Sequence, residues 1–295
     1  MTAGIPAAPD AFNGVLIVDK PAGFTSFDVV AVLRGLTRQK KIGHTGTLDP
    51  MATGVLPLLL GTAAKAESLL PDTDKAYEAD FQLGVETDTQ DSTGAVLRES
   101  GSPASRGQVE SALERFQGEL MQLPPMYSAI KVNGKKLYEL ARKGREVERK
   151  PRAITIHSLE VEGQESATDF LIRVRCSKGT YVRTLCHDIG QALGCGGTMY
   201  SLRRTMAAGF TLEDALPLEQ VLQAEDPASL LLGVDAYFAG RPVLILKPAA
   251  EKKVRNGMTL VLPDAPPAGE YRVYSEAGEF LALSRVSHGK LITIK

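Results

Sequence analysis

Residues 43–50 read Gly43-His44-Thr45-Gly46-Thr47-Leu48-Asp49-Pro50 and contain one isolated carboxylate. Asp49 is the only acidic residue between Lys41 and Lys65, and His44 is the only other ionisable side chain in that interval. The glycines allow backbone angles that other residues avoid, and the following proline favours an extended conformation for Asp49. An Asp-Pro pair beside glycines most often caps a turn. The alternative is a shaped loop that presents a single acid for chemistry.

Further motifs lie on both sides of this segment and together resemble the TruB family of tRNA pseudouridine synthases. The family pattern Gly-His-x-Gly-x-Leu-Asp-Pro-x-Ala-x-Gly-x-Leu is matched at each fixed position over residues 43–56. Gly61-Thr62-Ala63-Ala64-Lys65 has alanine where the family has threonine, which removes one hydroxyl and keeps the lysine. The remaining matches are Asp19-Lys20-Pro21-Ala22-Gly23 with Ser26, Asp74-Lys75-x-Tyr77, Cys176-Ser177-Lys178-Gly179-Thr180-Tyr181-x-Arg183 and Leu202-Arg203-Arg204.

The resemblance implies an α+β fold with two domains. Residues 1–240 are expected to form the catalytic domain on a mixed, mainly antiparallel sheet, and residues 241–295 a small β-rich, PUA-like RNA-binding domain. The residues themselves support a boundary, because composition shifts near Ala239-Gly240 and short apolar segments separated by Pro or Gly follow it. Such spacing favours a small β-barrel or sheet. Lys247, Lys252, Lys253 and Arg255 can contact phosphates there, or be ordinary surface charge.

The resemblance also implies the reaction, which is isomerisation of uridine to pseudouridine at position 55 in the T loop of tRNA. Asp49 is the expected nucleophile or base, and the residues do not choose between attack on ribose or uracil and removal of the ribose C2′ proton. Arg183 is the expected countercharge for a carboxylate in a dry pocket. Without the motif, Arg183 is a surface arginine near a helix start. Tyr77 is expected to stack on the uracil and to transfer a proton, although a tyrosine on the inner face of a strand is usually core.

Five more residues are expected to bind the substrate. A uridine in a folded loop is stacked and must be flipped out, and His44 is suited to fill the gap that it leaves. A lone histidine is more often structural. Tyr181 and Leu202 are expected to form walls of the pocket. Lys65 and Lys20 are expected to contact phosphates or to be structural.

The composition excludes several classes of protein. The three cysteines, at positions 176, 186 and 195, form no Cys-x-x-Cys, and the four histidines are scattered, so neither a zinc site nor a disulfide framework is expected. No cofactor or metal is expected, because the reaction is an isomerisation and no nucleotide-binding glycine motif is present. Residues 1–12 fit neither a signal nor a transit peptide, and the apolar run at 55–60 is too short to span a membrane. A cytoplasmic monomer that binds the tRNA T arm is the prediction.

The charge is segregated along a chain whose net charge is only −1. Residues 131–152 contain nine Lys or Arg against three Glu, whereas residues 72–91 contain seven acids against one Lys. Segregation of this kind can create a basic face for RNA on a nearly neutral protein. A charge run by itself is more often a solvated helix face.

Periodicity predicts the main elements. Strands are predicted at 15–18, 77–83, 154–161 and 170–176, and in the tail at 243–246, 259–262, 271–274, 280–283 and 291–294. A helix is predicted from an N-cap at Thr25 to about Arg38, and another after Gly179 with Val182 on its inner face. Asn133-Gly134 predicts a hairpin followed by a short basic helix.

Three other functions compete with the predicted one. A guide-RNA-dependent synthase of the related archaeal and eukaryotic type is expected to carry a fuller C-terminal domain than the 55 residues after Gly240. A non-catalytic RNA chaperone on the same scaffold has no need for Asp49, Tyr77 and Arg183 together. A retaining glycosidase needs two carboxylates at the bond, and the signature loop supplies one.

Overall fold

A computed structural model of the protein describes residues 12–69, 73–101, 104–132 and 134–294. The predicted absence of a targeting peptide concerns mainly residues 1–11, which lie outside the described residues, as does Asn133 of the predicted hairpin. The strands are β1 Gly14–Lys20, β2 Ile42–His44, β3 Thr53–Leu60, β4 Lys75–Leu83, β5 Val85–Thr87, β6 Val96–Glu99, β7 Gly118–Gln122, β8 Lys131–Val132, β9 Lys135–Lys136, β10 Arg152–Gln164, β11 Asp169–Cys176, β12 Gly197–Ala207, β13 Phe210–Thr211, β14 Leu216–Pro217, β15 Val243–Leu246, β16 Leu260–Val261, β17 Gly269–Ser275, β18 Phe280–Ser287 and β19 Lys290–Thr293. The helices are α1 Ser26–Thr37, α2 Arg106–Leu113, α3 Leu137–Ala141, α4 Val182–Ala192, α5 Leu218–Gln223 and α6 Pro248–Arg255. Short 3-10 segments cover Gly61–Leu69, Glu114–Phe116, Leu212–Asp214, Pro227–Leu230 and Val234–Phe238.

One large mixed sheet organises the part of the molecule before residue 240. Its order is β14-β1-β3-β12-β4-β11-β10-β7, with β2 added beside β3 and β13 beside β12. The β1–β14 and β3–β12 pairs are parallel and the other pairs are antiparallel. The predicted α+β fold on a mixed, mainly antiparallel sheet is therefore confirmed.

The alternation in β4 decides which face of this sheet is buried. Tyr77, Ala79, Phe81 and Leu83 are buried, and the residues between them are half-exposed. Their face packs against α4 and α2 in the largest apolar cluster, which also contains Leu202 of β12. The site described below lies at the end of this cluster.

The start of α1 shows how a local signal positions a motif. Thr25 and Asp28 form a capping box, in which the Asp28 N–H donates to the Thr25 hydroxyl at 3.0 Å and the Thr25 N–H donates to the Asp28 carboxylate at 2.7 Å. This is the predicted N-cap. Val29 and Leu33 of α1 then pack on β1 and β3 in a second apolar cluster.

A second, five-stranded sheet begins at Val243, with the order β15-β17-β18-β19-β16 among the described residues. It has its own small core, which includes Val273 and Leu291. It is also joined to the rest of the chain. Leu283 lies in an apolar cluster with Tyr237 and Phe238, and the Tyr274 hydroxyl donates to Asp235 at 2.6 Å. The predicted domain division at residue 240 stays a prediction.

The three cysteines are free and buried, and burial raises the pKa of Cys176 to about 11. None of the helices in the described ranges is long and apolar enough to cross a membrane.

Candidate active site

The isolated acid lies on a loop that connects two neighbouring strands. His44 of β2 pairs with Leu58 of β3, so residues 45–52 form the connection between them. We call these residues the signature loop. The Ser26 hydroxyl accepts a hydrogen bond from the Leu48 N–H at 2.8 Å, one residue before Asp49. The motif that contains Ser26 therefore supports the signature loop.

Lys20 provides a further support for the signature loop. Its side chain is fully buried, and its ammonium donates to the carbonyls of Pro21 at 2.8 Å, Phe24 at 2.6 Å and Pro50 at 3.3 Å. Burial, with Arg204 as a second cause, lowers the pKa of Lys20 to about 8. Phosphate contact and structural contact were both predicted for Lys20. This geometry supports structural contact.

The two arginines of the Leu202-Arg203-Arg204 motif hold the other side of the signature loop and its flanking strand. Arg204 is fully buried and donates to the carbonyls of Val55 at 2.7 Å and Gly46 at 3.2 Å. Gly54 has φ +103°, and a Cβ there would lie 2.2 Å from the Arg204 carbonyl oxygen, so only glycine permits this close approach. Arg203 forms an ion pair with Asp19 at 2.8 Å. Only Leu202 of this motif was predicted to have a role, but both arginines position the site.

Asp49 and Arg183 meet at the mouth of the site. An Arg183 Nη2 atom lies 2.9 Å from Asp49 Oδ2. The arginine side chain is 7% exposed and that of Asp49 is 35% exposed, so the acid faces open space while its partner is buried. The interpretation of Arg183 as a surface residue is wrong, because its side chain is buried. It is in the first turn of α4, where the helix dipole disfavours a cation, so its carboxylate contacts must offset that cost.

Asp91 is a second carboxylate at Arg183 that the sequence analysis did not single out. It lies 3.2 Å from Arg183 Nη1 and is buried. Its other oxygen accepts hydrogen bonds from the Thr93 N–H at 3.0 Å, the Thr93 hydroxyl at 2.6 Å and the Thr89 hydroxyl at 2.8 Å. The Thr- and Asp-rich run at 87–93 is the signal for this turn, but its contact with Arg183 spans 92 positions.

The chain between β7 and β10 supplies a third contact to Arg183. The Arg183 Nη2 atom donates to the carbonyl of Tyr127 in this connection, at 2.8 Å. The buried amide of Gln122 fixes the neighbouring main chain, because the Tyr181 N–H donates to Gln122 Oε1 at 2.8 Å and Gln122 Nε2 donates to the Tyr181 carbonyl at 3.1 Å. Gln122 thus holds the start of α4, which carries Arg183.

Burial raises the pKa of the Asp49 carboxyl, and the nearby Asp91 charge raises it further. Arg183 and, more weakly, Lys20 act in the opposite direction. The environment therefore disfavours the charged form through desolvation, and a single well-placed guanidinium offsets that cost. Such an acid can act as a nucleophile or as a base.

Tyr77 of β4 lies in one apolar cluster with Leu48, the residue before Asp49, and with Leu202. Burial raises the pKa of its phenol to about 12, with Arg204 opposing the shift, so the hydroxyl is protonated at neutral pH. The structure thus places Asp49, Arg183, Tyr77 and Leu202 around one end of the main core.

The remaining predicted residues surround this centre less closely. Tyr181 is half-buried directly before α4. His44 is half-buried at the end of β2, its Nδ1 has no hydrogen-bond partner among the described residues, and burial followed by Arg204 lowers its pKa. Lys65 is exposed on the 3-10 segment after β3. The described residues contain no group of His, Cys, Asp or Glu that could hold a metal ion.

Comparison with known proteins identifies relatives along nearly the whole chain. Residues 34–182 match the TruB family pseudouridylate synthase (N terminal domain), and residues 183–236 match the tRNA pseudouridylate synthase B C-terminal domain. A tRNA pseudouridine synthase B of Aromatoleum aromaticum is 47% identical over 273 residues, which cover 92% of this chain and 88% of the relative. One of Clostridium kluyveri is 42% identical over 275 residues, which cover 92% of this chain and 94% of the relative. A chain in the crystal structure of a Cbf5-Nop10-Gar1 complex has a similar fold, with a TM-score of 0.72 and 25% identity over 97% of this chain and 84% of that chain.

Proposed function

Because the chain belongs to the TruB family of pseudouridylate synthases, we propose that it isomerises uridine to pseudouridine at position 55 in the T loop of tRNA. The observation that carries this proposal is the pair of Asp49 and buried Arg183, 2.9 Å apart, on a loop braced by the family motifs. Relatives over 92% of this chain are named tRNA pseudouridine synthase B, which supports tRNA as the substrate.

The reaction breaks the bond from ribose C1′ to uracil N1, joins C1′ to C5, releases the C5 proton to solvent and adds a proton to N1, so the product is an isomer of uridine. Asp49 begins this sequence, and attack on ribose, attack on uracil and removal of the C2′ proton are all compatible with a single open carboxylate. Arg183 keeps that carboxylate ionised when RNA excludes water from the site. Tyr77 stacks on the base, and its protonated hydroxyl takes part in proton transfer near the ribose.

The substrate enters as a flipped nucleotide, which explains the residues around the centre. His44 fills the space that the uridine leaves, and its buried Nδ1 has no hydrogen-bond partner among the described residues. Tyr181 and Leu202 form walls of the pocket, and exposed Lys65 contacts phosphate. The protein acts as a monomer in the cytoplasm on the T arm.

The basic stretch at 131–152 supplies long-range attraction for the T arm. Most of its cations are exposed, among them Lys131, Lys135 and Lys143. The connection that contains them also gives the Tyr127 carbonyl to Arg183, so this surface lies beside the catalytic pair. Residues 241–295 form a further RNA-binding domain, in which Lys252 and Lys253 are exposed but Arg255 is neutralised by Glu251 and Glu279.

The test is isomer mapping by carbodiimide labelling of a T-arm transcript incubated with the protein and no other component. We expect one labelled position, uridine 55, and none when that uridine is replaced by cytidine. A requirement for an added guide RNA would favour the guide-dependent synthase. Binding and refolding of tRNA with no isomer formed would favour the chaperone.

A further inference from the structure

Lys75 is a motif residue that the proposed reaction leaves without a role. It is the first residue of β4 and lies two positions before Tyr77, so both side chains project from the same face of the sheet. Its neighbours across the two adjoining strands are Cys176 of β11 and Ala207 of β12. Lys75 is therefore at the edge of the proposed uridine pocket.

The Lys75 side chain and a guanidinium nitrogen of Arg204 both approach Gly46. A Cβ placed on Gly46 would lie 3.0 Å from Lys75 Cε, 3.4 Å from Arg204 Nη1 and 3.7 Å from Lys75 Nζ. Arg204 Nη1 is buried and has no hydrogen-bond partner within standard geometry among the described residues, while burial lowers the pKa of Arg204 and the nearby Tyr77 phenol acts in the opposite direction. Gly46 is in the signature loop, three positions before Asp49, so the two cations adjoin the loop that carries this acid.

Neither cation has a carboxylate in ion-pair contact among the described residues. Asp49 is paired with Arg183, and Asp74 contacts His157 at 3.0 Å and Arg175 at 3.6 Å. The Asp74 charge acts on Lys75 only as the weakest of the influences on its pKa. Burial, with Arg204 as the second cause, lowers the pKa of Lys75. The Cys176 thiol is neutral at pH 7, because its pKa is about 11.

Two adjacent cations without a counterion are unfavourable in the free protein, and a bound anion removes that cost. Lys75 is on the Tyr77 face and is only partly buried, and both cations lie beside the signature loop. A nucleotide whose base lies over Tyr77 has a phosphate on each side of its ribose, so one of them can reach Lys75. Ammonium and guanidinium groups are the usual partners of such phosphates.

We propose that Lys75 and Arg204 Nη1 form an anion site that binds one phosphodiester flanking the target uridine. This inference rests on the proposed function, because it assigns the anion to the substrate of the same pocket. The site holds the flipped nucleotide by its backbone while Tyr77 contacts its base, which would separate recognition of the backbone from the chemistry at Asp49.

A double-mutant cycle tests the contact directly. Lys75→Met is combined with T-arm RNA in which the phosphate on the 5′ or the 3′ side of the target uridine is a neutral methylphosphonate. We expect Lys75→Met, and one of the two methylphosphonates, each to weaken binding about tenfold, as for a charge-assisted hydrogen bond. Together they should weaken binding no further than either alone. Additive losses at both positions, or wild-type affinity of Lys75→Met, would overturn the proposal.

Two controls separate binding from folding and from general charge. Lys178→Met removes an exposed lysine near Lys75 and should show no coupling to either methylphosphonate. Lys75→Arg should retain the coupling. Because burial lowers the pKa of Lys75, its charge disfavours the free fold, and Lys75→Met should unfold at the same temperature as wild type or higher. A lower unfolding temperature together with additive binding losses would indicate a structural lysine.

The readout is affinity, so it is independent of turnover. A T-arm RNA that binds with the expected coupling but is not isomerised would refute the proposed function and leave the anion site standing. Isomerisation without coupling would refute the anion site alone. Absence of any affinity of the wild-type protein for T-arm RNA would overturn both.

Discussion

At the scale of single residues, the candidate site is built on the ion pair between the Asp49 carboxylate and the Arg183 guanidinium. Asp49 is accessible, whereas Arg183 is buried and is also held by Asp91 and the Tyr127 carbonyl. The arginine is therefore held by two protein groups besides Asp49, and it can orient the acid in the free protein. This is electrostatic preorganisation, in which the cost of arranging the charges is met during folding.

Asp49→Asn keeps the size of the side chain and removes its charge. We expect no pseudouridine formation, with tRNA binding within about tenfold of wild type, or ~1.4 kcal/mol. Arg183→Met should also be severely impaired, because the partly buried Asp49 carboxylate loses its countercharge. Filter binding of tRNA and tritium release from C5-labelled uridine, on the same preparations, measure both effects.

The matched control for these variants is Asp264→Asn, which removes an exposed carboxylate in the tail. It should bind and react like wild type. Tritium release near the wild-type rate by Asp49→Asn would remove Asp49 from the mechanism.

The raised pKa of Asp49 predicts the acid side of the pH–rate profile. The ionised form is active, so single-turnover rates should fall as pH drops through a value above the usual carboxyl pKa of about 4. Arg183→Met should move this limb to higher pH. The same shift means that the folded protein binds the Asp49 proton more tightly than the unfolded chain, so this group costs stability as pH rises through that window. Asp49→Asn should therefore unfold no earlier than wild type at pH 7, as measured by thermal denaturation.

Motif matches alone singled out Asp49, Tyr77 and Arg183, because each stands at a set position in a local pattern, and their catalytic roles stay predictions. Asp91 and Gln122 cannot be predicted in this way, since their partners lie 92 and 59 positions away and neither residue belongs to a family motif. The motif that contains Arg204 does not indicate its role, because arginine is usually exposed and this one is fully buried. Contacts between residues so far apart in sequence become visible only in the three-dimensional structure.

At the scale of elements, regular patterns predicted the structure and irregular ones did not. The capping box of α1 and the alternation of β4 are local signals. By contrast, β12 pairs with β4 through two register shifts, which disrupt the alternation that marks a strand. β3 is buried at nearly every position and contains Pro57, so it shows no alternation either.

The Gln122 side chain joins the end of β7 to the start of α4 through two hydrogen bonds to the Tyr181 main chain. Gln122→Met removes both hydrogen bonds to Tyr181 and leaves a buried N–H and a carbonyl without partners, at a cost of roughly 1–3 kcal/mol. Gln122→Glu keeps the acceptor and should be milder. We expect single-turnover rates to fall more than tRNA affinity, because Arg183 loses its position.

Thermal unfolding and single-turnover kinetics measure these effects, with Gln164→Met as the exposed control. Loss of affinity with an unchanged rate would show that Gln122 serves RNA binding instead.

At the scale of the whole molecule, the five-stranded sheet has a core of its own and also covers Tyr237 and Phe238 of the preceding segment. Removing residues 241–295 should weaken tRNA binding and leave some activity on a T-arm stem-loop, because the predicted catalytic residues lie upstream. It should also lower the unfolding temperature, since Tyr237 and Phe238 lose contact with Leu283. Exposure of such side chains costs about 1.5–3 kcal/mol each when complete. Binding, turnover and thermal unfolding of the truncated chain test this.

A full-length control separates the two effects of the truncation. Lys252→Glu with Lys253→Glu reverses two exposed charges and keeps the sheet in place. If the tail binds RNA through them, affinity falls with no change in unfolding temperature. Unchanged affinity in this variant and in the truncation would remove the tail from RNA binding.

The three buried thiols allow local opening of the fold to be measured by the rate at which each thiol is alkylated. Alkylating reagents react with the thiolate, which requires both solvent access and ionisation, and Cys176 has neither in the closed fold. Its labelling rate, followed by mass spectrometry, should therefore report how often the strand beside Lys75 opens. Bound T-arm RNA should slow labelling at Cys176 more than at Cys195, which lies beyond α4. Equal protection of both would mean that RNA tightens the fold as a whole.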